Sequence, residues 1–116
     1  MIPAPDEHSR IYIKPGATDM RKSINGLCAI VQNQFKLDPY SSSIYLFSNR
    51  RSDRIKILYW NRNGFCLWLK RLEVDRFPWP EEKCDVKELT QEELRWLLSG
   101  VDFRRAHRTL HYDFSG

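Results

Sequence analysis

The sequence of 116 residues contains no apolar run that approaches the roughly 20 residues needed to cross a bilayer. Its N-terminal stretch, residues 1–10, is polar and proline-bearing and has no apolar segment of the kind found in a secretion signal. The three cysteines are widely spaced and include no Cys-x-x-Cys pair, which excludes a disulfide framework and indicates a reducing compartment. These absences predict a cytoplasmic protein with no membrane partner.

Signatures of catalysis or metal binding are also scarce. The glycines are isolated and form no phosphate-binding loop. His107 and His111 are four residues apart, as on one helical face, but a metal would need a third ligand, and neither Cys84 nor His8 has a local partner. Asp19, Asp53 and Glu73 would suit a metal-dependent phosphoryl-transfer site, but a helix cap, a turn and a strand end explain them more simply. We therefore predict no catalytic residues, no metal site and no cofactor, and we do not expect an enzyme.

What the sequence does contain is enough apolar material for one folded domain. Hydrophobic residues make up 41% of the chain and aromatic residues 13%, which argues against disorder, and the length fits a single domain. We expect a flexible N-terminus over residues 1–10, one α+β domain over 11–103 and a basic tail over 104–116.

Two amphipathic helices are predicted from apolar periodicity and capping signals. The first follows a short strand at 11–14, takes Thr18 as its N-cap and Asp19 in its first turn, and carries an apolar stripe from Met20 to Phe35. The second opens with the capping box at 90–93 and ends at Gly100.

The middle of the chain predicts a β-meander. Three runs are rich in β-branched and aromatic residues: Ile44–Ser48, Ile55–Trp60 and Phe65–Leu72. The links between them are short enough for hairpins, and the second link contains an Asn63-Gly64 turn signal. The predicted fold class is α+β, with a small antiparallel sheet, a meander of three to four strands, packed against one N-terminal and one C-terminal helix.

Positive charge is concentrated in this meander. The whole chain carries a net charge of +4, whereas residues 50–76 hold eight basic against three acidic side chains, a net +5. Basic strands interleaved with aromatic residues are suited to neutralising phosphates and stacking on bases. The simpler interpretation is a solvated charged surface, with at least half of the aromatic residues in the core. The candidate DNA-binding residues are Arg50, Arg51, Arg54, Lys56, Trp60, Arg62, Trp68, Lys70, Arg71 and Arg76.

Five segments in order resemble a known family: residues 16–27 (GATDMRKSINGL), 49–73 (NRRSDRIKILYWNRNGFCLWLKRLE), 76–80 (RFPWP), 89–103 (LTQEELRWLLSGVDF) and the basic tail. The chain is similar to the small TnpB accessory proteins of the bacterial insertion sequences that encode TnpA, TnpB and TnpC in tandem, not to the longer RNA-guided nuclease of the same name. The resemblance implies an accessory role in DNA transposition beside a separate transposase, TnpC, and it transfers no catalytic residue.

Two functions remain open from the sequence. The first is a protein that binds DNA, such as the element ends, through a basic β-hairpin surface and assists the transposase. The alternative is a protein–protein adaptor that binds transposase subunits with little or no DNA contact, for example through the leucine face of residues 89–100. An oligomer is also possible, because an edge strand at 11–14 could pair between subunits.

Overall fold

A computed structural model describes residues 9–100, which form one five-stranded sheet with a helix on each face. In chain order the elements are β1 (Ile11–Ile13), α1 (Ile24–Asn33), β2 (Ile44–Ser48), β3 (Arg54–Asn61), β4 (Gly64–Arg71), β5 (Lys87–Leu89) and α2 (Gln91–Leu98). The predicted α+β class is confirmed. The predicted tail at 104–116 and residues 1–8 lie outside the described residues, so the domain boundaries stay a prediction.

The strand order in the sheet is β4-β3-β2-β1-β5. The meander is confirmed, since β2 pairs antiparallel with β3 and β3 with β4. Two features of the sheet differ from the expectation. β1 pairs parallel with β2, because α1 serves as the crossover that a parallel pair requires. β5 adds a fifth strand in a segment for which the sequence predicts no strand.

Since β1 lies between β2 and β5, the prediction of an edge strand at 11–14 is wrong. Ile11 pairs with Ile44 on one side and with Leu89 on the other, and the side chains of Ile11 and Ile13, at the two ends of the strand, are buried. The edges are instead β4, with eight residues, and β5, with three.

Both faces of the sheet are buried, each under its own helix. One core joins α1 to Tyr45, Phe47 and Leu58, and we call this side the α1 face. The other joins α2 and the buried Phe77 and Trp79 to alternate residues of the strands, and we call it the α2 face. Leu94 and Leu97 of α2 are fully packed in this core, so the leucine face proposed for docking a partner is used inside the fold.

Helix α1 begins at Ile24, later than predicted. Asp19 accepts hydrogen bonds from the backbone N–H and the guanidinium of Arg21, and this local turn competes with helix formation. The backbone N–H of Thr18 donates to Ser48, which ties the segment to the end of β2. Thr18 is therefore not the N-cap; Ser23 occupies that position.

Helix α2 matches its prediction closely. The Thr90 hydroxyl accepts from the Glu93 N–H and the Glu93 carboxylate accepts from the Thr90 N–H, which completes the capping box. Gly100 follows the helix with φ of +84°, a conformation that glycine adopts without strain.

Candidate nucleic-acid interface

The sheet register divides the ten candidate residues between two faces and two ends. Cross-strand partners share a face of the sheet. The pairs Ile57–Trp68 and Ile55–Lys70 lie on one face, and the pairs Lys56–Leu69 and Trp60–Phe65 lie on the other. Trp68 and Lys70 thus lie on the α2 face, whereas Lys56 and Trp60 lie on the α1 face. The two tryptophan–lysine pairs that look alike in the sequence do not form one surface.

Both strand lysines are engaged by backbone carbonyls. Lys56 Nζ donates to the carbonyls of Met20 and Lys22, at 2.7 and 2.8 Å, and so holds the turn that precedes α1. Lys70 Nζ donates to the carbonyl of Leu98 at 2.9 Å, where the unpaired carbonyls of α2 favour a cation. These contacts make the two ammonium groups part of the scaffold.

Five arginines meet at the end of the sheet where the β2–β3 loop approaches the end of β4. Arg54 and Arg71 are direct cross-strand partners, and Arg50 and Arg51 lie in the adjoining loop. The N–H of buried Phe77 donates to the Ser52 carbonyl at 2.7 Å, which brings Arg76 beside the same loop. We call Arg50, Arg51, Arg54, Arg71 and Arg76 the basic corner; all five are exposed.

The loop of the basic corner is held by Asn49. Its side-chain carbonyl accepts from the N–H groups of Asp53 and Arg54, and its amide donates to the Asp53 carboxylate at 2.6 Å. That bond, with the positive charges of Arg54 and Arg51, keeps the pKa of Asp53 below its usual value. Ser52 completes the loop in the left-handed region at φ of +59°. Asn49 is thus a positioning residue for the arginines.

The carboxylates of Glu73 and Asp19, near the corner, each form an ion pair with a single arginine. Arg71 forms an ion pair with Glu73 at 2.8 Å, and both side chains, with Arg54 and Leu69, line an open groove of about 430 Å³. Asp19 lies in the turn tied to the same end of β2 and forms an ion pair with Arg21, which lowers its pKa to about 2. Within residues 9–100, no ion pair engages Arg50, Arg51, Arg54 or Arg76.

Asp19, Asp53 and Glu73 share no partner: Asp19 is bound by Arg21, Asp53 by Asn49 and Glu73 by Arg71. In the described part of the chain no three histidine, cysteine or acidic residues are grouped so as to hold a metal ion. Cys28 is half-buried, and burial raises its pKa above the usual value for a thiol.

An aromatic cluster occupies the other end of the same hairpin. Trp60 and Phe65 are cross-strand partners with ring centroids 4.9 Å apart, and Tyr40 contacts each of them at 5.1 Å. Tyr40 is 57% exposed, and with Phe65 it borders a shallow pocket of about 230 Å³ against α1. We call Tyr40, Trp60 and Phe65 the aromatic end.

Arg62 lies at this aromatic end, not in the basic corner. It occupies the tight turn between β3 and β4 with φ of +56°, so the turn residues are Arg62 and Asn63, and the expected Asn63-Gly64 turn is shifted by one residue. Arg54 and Trp60 are six residues apart on one strand, a separation of about 20 Å. The aromatic end and the basic corner are therefore distinct surfaces.

Sequence reasoning found the arginines but missed what arranges them. Asn49 carries an available signal, since asparagine before a short loop commonly bonds to the backbone two or more residues on. Tyr40 carries none, because its contact with Trp60 joins residues far apart in the chain.

Comparisons with known proteins give a consistent result. The protein-family profile described as "IS66 Orf2 like protein" matches residues 9–108. The chain is 33% identical over 109 residues to "Uncharacterized protein y4hO" of Sinorhizobium fredii, covering 94% of each chain. It is 34% identical over 104 residues to "Uncharacterized protein y4jC" of the same organism, covering 90% of this chain and 89% of that protein. No solved structure matches the chain.

Among residues 9–100, no helix is both long and apolar enough to cross a membrane.

Proposed function

We propose that this chain, which belongs to the IS66 Orf2-like protein family, binds DNA. The family implies an accessory role in insertion-sequence transposition. The family match confirms the resemblance to the TnpB accessory proteins. Within that role, the basic corner binds the phosphate backbone of DNA and thereby assists a separate transposase.

The observation that carries this proposal is a set of exposed arginines that form no ion pair within residues 9–100. Arg50 and Arg51 lie in the loop fixed by Asn49 and Arg54 begins β3 directly after it, while the Phe77–Ser52 backbone bond places Arg76 beside the same loop. A guanidinium binds a phosphate through two parallel hydrogen bonds, and each neutralised phosphate releases counterions. A preorganised cluster of this kind is suited to the DNA backbone.

The test is fluorescence anisotropy of labelled duplexes across a salt series, with element-end DNA and a scrambled duplex as probes. Replacing Arg50, Arg51 and Arg54 by glutamate should abolish binding. Milder glutamine replacements should reduce the slope of log affinity against log salt by about 0.9 for each phosphate that is no longer neutralised. Tighter binding to the element ends would show that base edges are also read.

The matched control reverses three exposed basic residues outside the corner, Arg62, Lys83 and Arg95, so that both variants have the same net charge. The control should keep nearly the full affinity. Equal losses in the two variants would show that total charge, and not the corner, attracts DNA. No binding by the wild type at low salt would refute the proposal.

A second candidate function is the adaptor, and the aromatic end is the observation that favours it. Half-exposed aromatic residues beside a pocket are frequent anchors of protein interfaces. With the leucines of α2 in the core, the aromatic end is the described surface that best suits a transposase subunit.

The adaptor function is tested with purified transposase subunits in a titration monitored by light scattering or calorimetry. Tyr40→Ala should weaken the complex about tenfold or more, as expected for an aromatic anchor. The triple glutamate variant of the corner should leave that complex intact. The reverse pattern would exclude the aromatic end as the docking surface.

A further inference from the structure

The long edge of the sheet carries a feature that DNA binding does not use. β4 has eight residues and pairs only with β3, and within residues 9–100 no strand covers its other side. The opposite edge, β5, has three residues and is flanked by the Lys87–Glu82 and Arg10–Glu88 ion pairs. Short, charged edges resist pairing, whereas long apolar edges promote it.

The backbone groups that β4 presents outward can be identified from the ladder. The Leu72 N–H donates to the Asp53 carbonyl at 2.7 Å, so residue 72 points toward β3. Hydrogen bonding alternates along an antiparallel strand, so Phe65, Leu67, Leu69 and Arg71 direct their N–H and C=O groups toward the free edge. No proline interrupts this row, and the Leu69 side chain is 57% exposed.

We propose that β4 pairs antiparallel with β4 of a second copy of this chain, about a two-fold axis through Leu67. This register places Leu67 opposite Leu67 of the copy, Phe65 opposite Leu69, and Cys66 opposite Trp68, so every apolar residue of the strand meets another. The outward-facing residues become the hydrogen-bonded pairs, and they exchange six backbone hydrogen bonds over these positions.

The charge pattern selects both the direction and the register. Lys70 and Arg71 at the end of β4 meet Gly64 and Asn63 of the copy, whereas parallel pairing would align like charges. An axis through Trp68 would instead place Lys70 against Cys66 and Arg71 against Phe65. The assembly closes at two copies, because each copy has one long edge strand. The outer edges of the resulting ten-stranded sheet are the two short β5 strands.

The first arm of the test measures the mass of the full chain by sedimentation velocity up to about 100 µM, a range in which mass action reveals even weak dimers. We expect a dimer. Leu69→Lys introduces a charge on the edge and should raise the dimer dissociation constant about tenfold or more. Val74→Lys, which changes an exposed apolar residue outside β4, should leave the constant within about twofold.

The second arm tests the register and does not depend on how Leu69→Lys folds. In a background with Cys28, Cys66 and Cys84 replaced by alanine, Leu67→Cys places two thiols on the axis, about 5.5 Å apart between Cα atoms, and oxidation should join the copies. In the control Leu69→Cys the thiols are about 13 Å apart along the strand and should stay reduced.

Three results would overturn the proposal. The full chain could be monomeric at the highest concentration, or the dimer could be indifferent to Leu69→Lys. Leu67→Cys could cross-link no better than the control Leu69→Cys, which would rule out the register. Because mass and cross-linking are measured without DNA, the outcome is independent of the DNA-binding test.

Discussion

The basic corner and the aromatic end are the two ends of one hairpin, yet they are built in different ways. At the corner, Asn49 fixes the backbone, and Arg50, Arg51 and Arg54 are exposed and form no ion pair within residues 9–100. At the aromatic end, the side chains bind one another: Trp60 contacts Phe65 and Tyr40. Exposed guanidinium groups without a carboxylate partner can bind an anionic ligand, whereas aromatic rings that already pack against one another also stabilise the fold. Mutations should separate these two roles.

The largest expected effect on stability is at the aromatic end. Trp60→Ala removes the ring that contacts both Tyr40 and Phe65, and we expect a decrease of about 2 kcal/mol in the free energy of unfolding. Urea denaturation measures this decrease, and anisotropy should show unchanged DNA affinity in the folded range. A large fall in DNA affinity would mean that the two ends form a single surface.

The next prediction compares two neighbours on β3. Lys56→Met removes the donor to the Met20 and Lys22 carbonyls and should lower the free energy of unfolding by about 1.5 kcal/mol. Arg54→Met should cost little stability but weaken DNA binding. Denaturation and anisotropy on both variants provide the check, and equal stability losses would contradict the scaffold role of Lys56.

A smaller effect, of opposite sign, is expected in the turn of the aromatic end. Arg62 adopts φ of +56°, which is strained for a residue with a Cβ atom. Arg62→Gly should therefore raise the free energy of unfolding by about 1 kcal/mol and leave DNA affinity nearly unchanged. Thermal unfolding tests the first part; a fall in stability would show that the Arg62 side chain contributes more than the strain costs.

The smallest effect concerns Asp19, near the corner. Its pKa of about 2 lies below the ordinary 3.8 because Arg21 binds the carboxylate, so the ionised form is favoured in the folded state. The resulting stability is present above pH 4 and is lost as the pH falls through about 2. An NMR titration should give this pKa in the wild type and a value closer to 3.8 in Arg21→Ala. An unchanged pKa in the variant would exclude Arg21 as the cause.

Local patterns were sufficient for the meander and for α2. The alternation in β3 and the capping box at Thr90 are set by neighbours in the chain, so the sequence predicts them. The position of β1 depends instead on Leu89, almost eighty residues away, and no local pattern reports that pairing. The same limit applies to the site: a run of basic residues showed where charge is dense, but not that Lys56 and Lys70 face opposite sides of the sheet.

The placement of β1 between β2 and β5 also has a consequence for the order of folding. β1 emerges early during synthesis, but its second partner, residues 87–89, follows only after the whole meander. Contacts between residues so far apart form late, because the intervening chain must be ordered first. The pairing of β1 with β5 therefore completes the sheet, although β1 is the first strand to be synthesised. A chain interrupted before residue 87 would leave β1, with Tyr12 at its centre, as an unpaired edge of the sheet.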